Sequence, residues 1–239
     1  MNAMILAAGK GTRLGPLTDR LPKALMPLVG RPLLAILLEK LAQAGFDQVA
    51  INAHHHADLI ADFLHRHCWP GMTINLSFET DLLDTGGGLV RMMDFLPADQ
   101  PILVHNVDVL STLDLAQLVT YHQNQKAMVT LAVQSRPSQR LLAFTEEMTL
   151  AGRAGQQTDR LTQLGRHAYA FNGIHVVEPQ ILLQAPRTCF SSIEHYLQLA
   201  AQGVQVIGFV ADRYYWRDLG KPEDLKSAEE DVLSGRFVL

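Results

Sequence analysis

Short apolar runs alternate with amphipathic stretches along almost the whole chain, and that alternation restricts the available folds more than any other feature. Residues 4–8, 48–53, 73–78, 101–105, 127–133, 169–177 and 204–210 have the length and composition of strands. Residues 32–44, 57–67, 87–96, 115–125, 192–201 and 222–233 repeat their apolar positions at helical spacing. Strand and helix in turn predict an α/β fold, a Rossmann-like three-layer sandwich whose mixed, mostly parallel sheet is covered on both faces. With 239 residues, 48% hydrophobic and 18% charged, the chain can bury one large core, and 1–239 reads as a single domain. From 136 to 166 the pattern lapses into polar residues and glycines, with only short strand-like pieces such as 141–144. This stretch reads as a small flap inserted in that domain.

A net charge of -4 leaves no electrostatic footprint for nucleic acid or an anionic membrane, so small molecules are the expected partners. Cys68 and Cys189 stand far apart without metal-type spacing, which argues against a disulfide framework or a zinc knuckle. No run of about eighteen apolar residues occurs, and Lys10 and Arg13 follow the first apolar run instead of preceding it. The expectation is a soluble, uncleaved, cytoplasmic protein, monomeric or a small homo-oligomer. His54-His55-His56 invites a metal reading, but consecutive residues cannot all point at one ion, and the run reads as a loop leading into the helix at 57.

The first strand opens straight into Gly9-Lys10-Gly11-Thr12-Arg13. Gly9 and Gly11 leave backbone N–H groups uncovered, and Arg13 and Lys23 bring two cations to the same mouth, which makes a cradle for a polyphosphate. Two familiar glycine loops fail on spacing. A Walker loop needs Gly, four residues, then Gly-Lys-Ser/Thr. A dinucleotide fingerprint needs glycine where Leu14 stands and an acidic residue near Asn52.

What remains, Leu6-Ala7-Ala8-Gly9-Lys10-Gly11-Thr12-Arg13-Leu14 followed by Pro22-Lys23-Ala24-Leu25-Met26-Pro27, resembles the signature of the sugar-1-phosphate nucleotidyltransferases. Three further segments carry the resemblance. Asp84-Thr85-Gly86 stands where many members have Gly-Thr-Ala, in a version similar to the short N-acetylmuramate-1-phosphate uridylyltransferases and related heptose or mannose enzymes. Asn106-Val107-Asp108 matches an Asn-Gly-Asp element except at Val107, and Trp216-Arg217-Asp218-Leu219-Gly220-Lys221-Pro222 matches Trp-x-Asp-x-Gly-Thr/Lys-Pro. Either aspartate alone reads equally well as a turn residue. The glycines at 86–88 require a close approach to something flat or bulky, or a helix start capped by Asp84 or Thr85, and the two roles can coexist.

The resemblance implies transfer of a nucleoside monophosphate from a nucleoside triphosphate to a sugar 1-phosphate, with release of pyrophosphate and with Mg²⁺ as cofactor. It implies that Arg13, Lys23 and Asp108 are catalytic, with Asp108 and Asp218 holding the metal. The nucleotide would meet Leu6, Ala7, Ala8, Gly9, Gly11, Thr12, Glu79, Thr85 and Gly86, with Glu79 near the base. Asn106, Asn172 and Gly173 would meet the sugar, joined by Arg140 from the flap. UTP or GTP is the expected donor. Two other readings stay open: a cytidylyltransferase acting on a non-sugar phosphate such as phosphocholine, and a nucleotide-binding regulatory module without turnover.

Overall fold

Side chains of the first strand, β1 (Asn2–Leu6), pack alternately on two faces: Ala3 and Ile5 enter one apolar cluster and Met4 the other. The computed structural model describes residues 1–154 and 166–238. After β1 come the short hairpin β2 (Pro27–Leu28) and β3 (Arg31–Pro32), then α1 (Leu33–Gln43), β4 (Gln48–Ala53), α2 (Ala57–Arg66), β5 (Thr73–Phe78) and α3 (Asp84–Met92). β6 (Ile102–Asn106), β7 (Val109–Ser111), α4 (Leu115–Gln125), β8 (Val129–Gln134), β9 (Leu141–Thr145), β10 (Leu150–Arg153) and β11 (Arg166–Val177) follow. The chain closes with α5 (Pro179–Leu183), α6 (Ser192–Ala201), β12 (Val206–Val210), β13 (Trp216–Asp218) and α7 (Pro222–Leu233).

The main sheet runs β10-β9-β11-β6-β1-β4-β5, with β8 between β11 and β12 as a branch. β6, β1, β4 and β5 are parallel, and β11 enters antiparallel to β6. The division seen in β1 recurs in β4, where Val49 and Ile51 oppose Ala50, and in β6, where Leu103 opposes Ile102 and Val104. Leucines of α1 and α4, with Ile60 of α2, cover one face. Leu89 and Met92 of α3, Ile181 and Leu182 of α5, and Tyr196 of α6 cover the other, giving the three expected layers. A third cluster, with Leu14, Leu28, Leu110, Leu219 and Phe237, lies under the glycine loop and ties the C-terminal segment to it.

Expected and observed bounds coincide for 48–53, 73–78, 115–125, 192–201 and 222–233. β1 stops at Leu6 because the next amide, that of Ala7, leaves the ladder for the Asn52 side chain. α3 begins at Asp84, three residues before the apolar pattern shows it, because glycines contribute nothing to periodicity. β7 and β13, three residues each, are too short to announce themselves. Within 136–166, β9 pairs with both β10 and β11, so these strands widen the main sheet; 155–165 lies outside the described residues. Among the described residues no helix is long and apolar enough to cross a membrane.

Candidate active site

Register brings three strand ends together: Leu6 of β1 lies between Asn52 of β4 and Asn106 of β6. Beyond these carboxyl ends, where parallel sheets bind ligands, opens a cavity of about 390 Å³. Of the residues expected to meet a nucleotide, Leu6, Ala7, Ala8, Gly9, Glu79 and Thr85 line it, and Lys23, Asn106 and Asp108 line it too. Gly11, Thr12, Arg13 and Asp218 lie beyond its lining.

The glycine loop owes its shape to two turns. Gly11 has φ 65°, in the left-handed region, and a Cβ there would stand 2.7 Å from the Thr18 methyl. Its carbonyl accepts the Leu14 N–H at 2.8 Å and starts the 3₁₀ turn Thr12–Asp19. Pro22 then leads into a second turn, Lys23–Leu25, which buries the Lys23 stem and points its ammonium at the Asp108 carboxylate, with which it forms an ion pair.

Asp218 arrives from the other end of the chain. β13 pairs with β7 so that Asp218 faces Val109, and the Leu219 N–H donates to the Asp108 carbonyl at 2.8 Å. Asp218 Oδ1 accepts the Gly220 N–H at 2.7 Å and lies 3.9 Å from Arg13 Nη2. Gly220 permits that approach: a Cβ would stand 2.4 Å from Asp218 Oδ1 and 2.5 Å from Arg13 Nη2. Burial raises the Asp218 carboxyl above its ordinary value, and the negative charge of Asp108 raises it further, against the pull of Lys23, the Gly220 amide and Arg13. Asp108 lines the cavity and Asp218 stands in its field, and two such carboxylates form a donor set that fits Mg²⁺, which takes one or two carboxylates and completes its shell with water and phosphate oxygens. Among the described residues no group of three or more His, Cys, Asp or Glu gathers into a closed metal cage. The three adjacent histidines serve as ties: His54 Nδ1 contacts the Glu79 carbonyl at 2.8 Å, His55 Nε2 the Thr18 carbonyl at 3.0 Å and His56 Nε2 the Asp19 carbonyl at 3.2 Å.

The cavity floor is a buried polar chain. Asn52 Oδ1 accepts the Ala7 N–H at 2.7 Å, Asn52 Nδ2 donates to Glu79 Oε1 at 2.7 Å, and Glu79 Oε2 accepts the Leu83 N–H at 3.2 Å. The glycines at 86–88 make room for the protein's own groups. A Cβ at Gly88 would stand 2.6 Å from Asn52 Nδ2 and 2.8 Å from Glu79 Oε1, one at Gly87 2.3 Å from the Thr188 carbonyl oxygen, and one at Gly86 2.2 Å from the Phe190 ring. The Gly86 amide donates to the Phe190 carbonyl at 2.8 Å under that ring, and Gly86, like Gly11 and Thr12, lies beyond the cavity lining. One expectation is corrected here. Neither Asp84 nor Thr85 caps α3: Asp84 Oδ1 accepts the adjacent Thr85 N–H, and the Thr85 hydroxyl accepts the Ser192 N–H at 2.9 Å. Asp84 has φ 55°, in the left-handed region that glycine, asparagine and aspartate visit most readily.

Among the residues expected to meet the sugar, Gly173 has φ 76° and packs against the Asn106 amide, where a Cβ would stand 2.8 Å from Nδ2. Asn172 is buried; its carbonyl accepts the Trp216 indole N–H at 2.8 Å and its Oδ1 has no hydrogen-bond partner. Arg140 is exposed just before β9 and does not line the cavity. Sequence reasoning missed Asn52, Leu82, Asp84, Val107 and Cys189 as lining residues. Asn52 carried a signal, being a polar strand end in register with Leu6. Cys189 reaches the cavity from the segment before α6 and carried none.

A family model described as nucleotidyl transferase matches residues 2–144. The chain is 31% identical over 250 residues to the mannose-1-phosphate guanylyltransferase of Mycobacterium tuberculosis, covering 98% of this chain and 65% of that protein. It therefore spans less than two thirds of that relative's length. It is 27% identical over 234 residues to the N-acetylmuramate alpha-1-phosphate uridylyltransferase of Caulobacter vibrioides, covering 95% of each. The crystal structure of HddC from Yersinia pseudotuberculosis superposes with a TM-score of 0.78 at 22% identity, covering 96% of this chain and 98% of that one, a likeness of fold.

Proposed function

The chain belongs to the nucleotidyl transferase family, and from that premise we propose that it transfers a nucleoside monophosphate from a nucleoside triphosphate to a sugar 1-phosphate. The observation that carries the reading is the meeting of Lys23, Asp108, Asp218 and Arg13 beside a cavity of nucleotide size. An oxygen of the acceptor phosphate attacks the α-phosphorus of the triphosphate, the bond to the β-phosphate oxygen breaks, and pyrophosphate leaves. The acceptor is already an anion at neutral pH, so no general base is required; the protein's work is positioning and charge neutralisation.

Lys23 lies where the two reacting phosphates would meet and eases the approach of one anion to another. Arg13, more exposed than Lys23, offers a planar fork to the leaving pyrophosphate. Asp108 and Asp218 would hold Mg²⁺, which when bound neutralises charge on the phosphate oxygens between them. Glu79 lies on the floor under the base, its two oxygens each holding one protein donor and retaining a free lone pair. UTP or GTP is the donor favoured here, with UTP slightly ahead, in keeping with the names of the uridylyl- and guanylyltransferase relatives.

A panel of the four triphosphates against several sugar 1-phosphates, read by pyrophosphate release, tests the proposal. Turnover with UTP or GTP supports it; no release from any pairing refutes it.

A further inference from the structure

We propose that Arg136 is an acceptor-binding residue, its guanidinium held on the Trp216 ring beside Asp218 so that it grips an oxyanion of the acceptor. The inference rests on the nucleotidyl-transfer reading and adds to it a residue that none of the recognised motifs contains.

Arg136 follows β8, whose last residue, Gln134, anchors the loop that delivers Trp216: Gln134 Nε2 donates to the carbonyls of Ala211 at 2.8 Å and Tyr214 at 2.9 Å. The Arg136 guanidinium carbon lies 3.7 Å from the Trp216 ring centroid, a cation–π contact. Both partners are fastened to neighbouring carbonyls of β11. Arg136 Nη2 donates to the Phe171 carbonyl and Trp216 Nε1 to the Asn172 carbonyl, each at 2.8 Å. The cation is thus oriented before any ligand arrives, beside Asn172 and Gly173.

Three features mark it as waiting for an anion. It is half-buried, and its Nε is buried with no hydrogen-bond partner. Among the described residues no carboxylate forms an ion pair with it, although the charge of Asp218 reaches it. Its remaining N–H groups form a planar fork, whose geometry suits a phosphate or carboxylate better than a lysine would, and Arg136, like Arg13 and Asp218, stands beyond the lining of the cavity itself. A cation that served only to hold the loop would be expected to have its donors spent on the protein. The ligand chemistry is an oxyanion, and two sources supply one: the phosphate of the acceptor, or an acidic group on its sugar.

The test has a binding arm and a kinetic arm. In a Trp69→Phe background Trp216 is the one tryptophan left, and its fluorescence is followed while glucose 1-phosphate, glucuronic acid or inorganic phosphate is added. A saturable change with glucose 1-phosphate and inorganic phosphate identifies the phosphate as the source; a change with glucuronic acid alone identifies the acidic substituent. In the kinetic arm, Arg136→Gln should raise the acceptor KM by about tenfold or more and leave the triphosphate KM within about twofold, with Arg136→Lys in between. The proposal is overturned if none of the three ligands perturbs Trp216, or if folded Arg136→Gln keeps the wild-type acceptor KM. If Arg136→Gln fails to fold, Arg136→Lys and the wild-type titration decide. If the wild-type enzyme releases pyrophosphate from no pairing, the nucleotidyl-transfer reading fails, and the titration still judges Arg136 separately.

Discussion

Replacing Gly86, Gly87 and Gly88 one at a time by Ala sets helix propensity against packing. All three lie in α3, where Ala exceeds Gly by about 1 kcal/mol, so propensity alone predicts three stabilised variants. The neighbours predict otherwise. At Gly87 the added methyl meets the Thr188 carbonyl oxygen at 2.3 Å and the Leu83 Cβ at 2.9 Å, and a main-chain oxygen cannot rotate aside. Overpacking of this kind costs about 1–3 kcal/mol, and the main-chain clash puts it at the upper end, for a net destabilisation of about 2 kcal/mol. At Gly88 relief requires breaking the Asn52–Glu79 contact, a hydrogen bond to a charged group worth about 1.5–3 kcal/mol; stability falls by about 1 kcal/mol net and the triphosphate KM rises. At Gly86 the obstacle is the half-buried Phe190 ring, which can swing outward, so the net effect is about 0–1 kcal/mol of destabilisation. In a Phe190→Ala background the same Gly86→Ala change should become stabilising by about 1 kcal/mol. Urea unfolding followed by circular dichroism, at constant m, measures all of these. A Gly87→Ala variant more stable than wild type, or a Gly86→Ala effect identical with and without Phe190, would refute the packing argument.

Asp108→Asn and Asp218→Asn should each lower turnover by orders of magnitude with the fold intact, and EDTA should abolish wild-type activity; full activity in any of these cases removes the metal assignment. Burial pushes the His175 pKa from 6.5 down to about 3, so the ring is neutral in the fold and takes up a proton on unfolding below pH 6.5. Its contribution is complete above that value and is lost as pH falls toward 3, amounting to about 2 kcal/mol at pH 5. His175→Gln should flatten the fall in stability between pH 7 and pH 5 by that amount, and an unchanged pH profile would show that His175 is not held neutral.

The layers and many of the element bounds were legible in the chain because periodicity is local: a strand at 48–53 or a helix at 115–125 shows its buried side within its own residues. The glycine loop was legible for the same reason, since Gly9, Gly11 and Arg13 stand within one short loop, and Lys23 and Asp108 stood out as parts of recognised motifs. Which residues meet was decided by strand order and register. Lys23 and Asp108 are 85 positions apart and touch because β6 lies beside β1. The same ordering joins Asn52 to Glu79 and sets Phe190 over Gly86. It also lays Arg136 on Trp216, whereas Arg140, favoured from sequence, remains at the surface. Local pattern reports which face of an element is buried, but not which distant segment buries it; that follows from closing long loops around one sheet, and only the folded chain carries it.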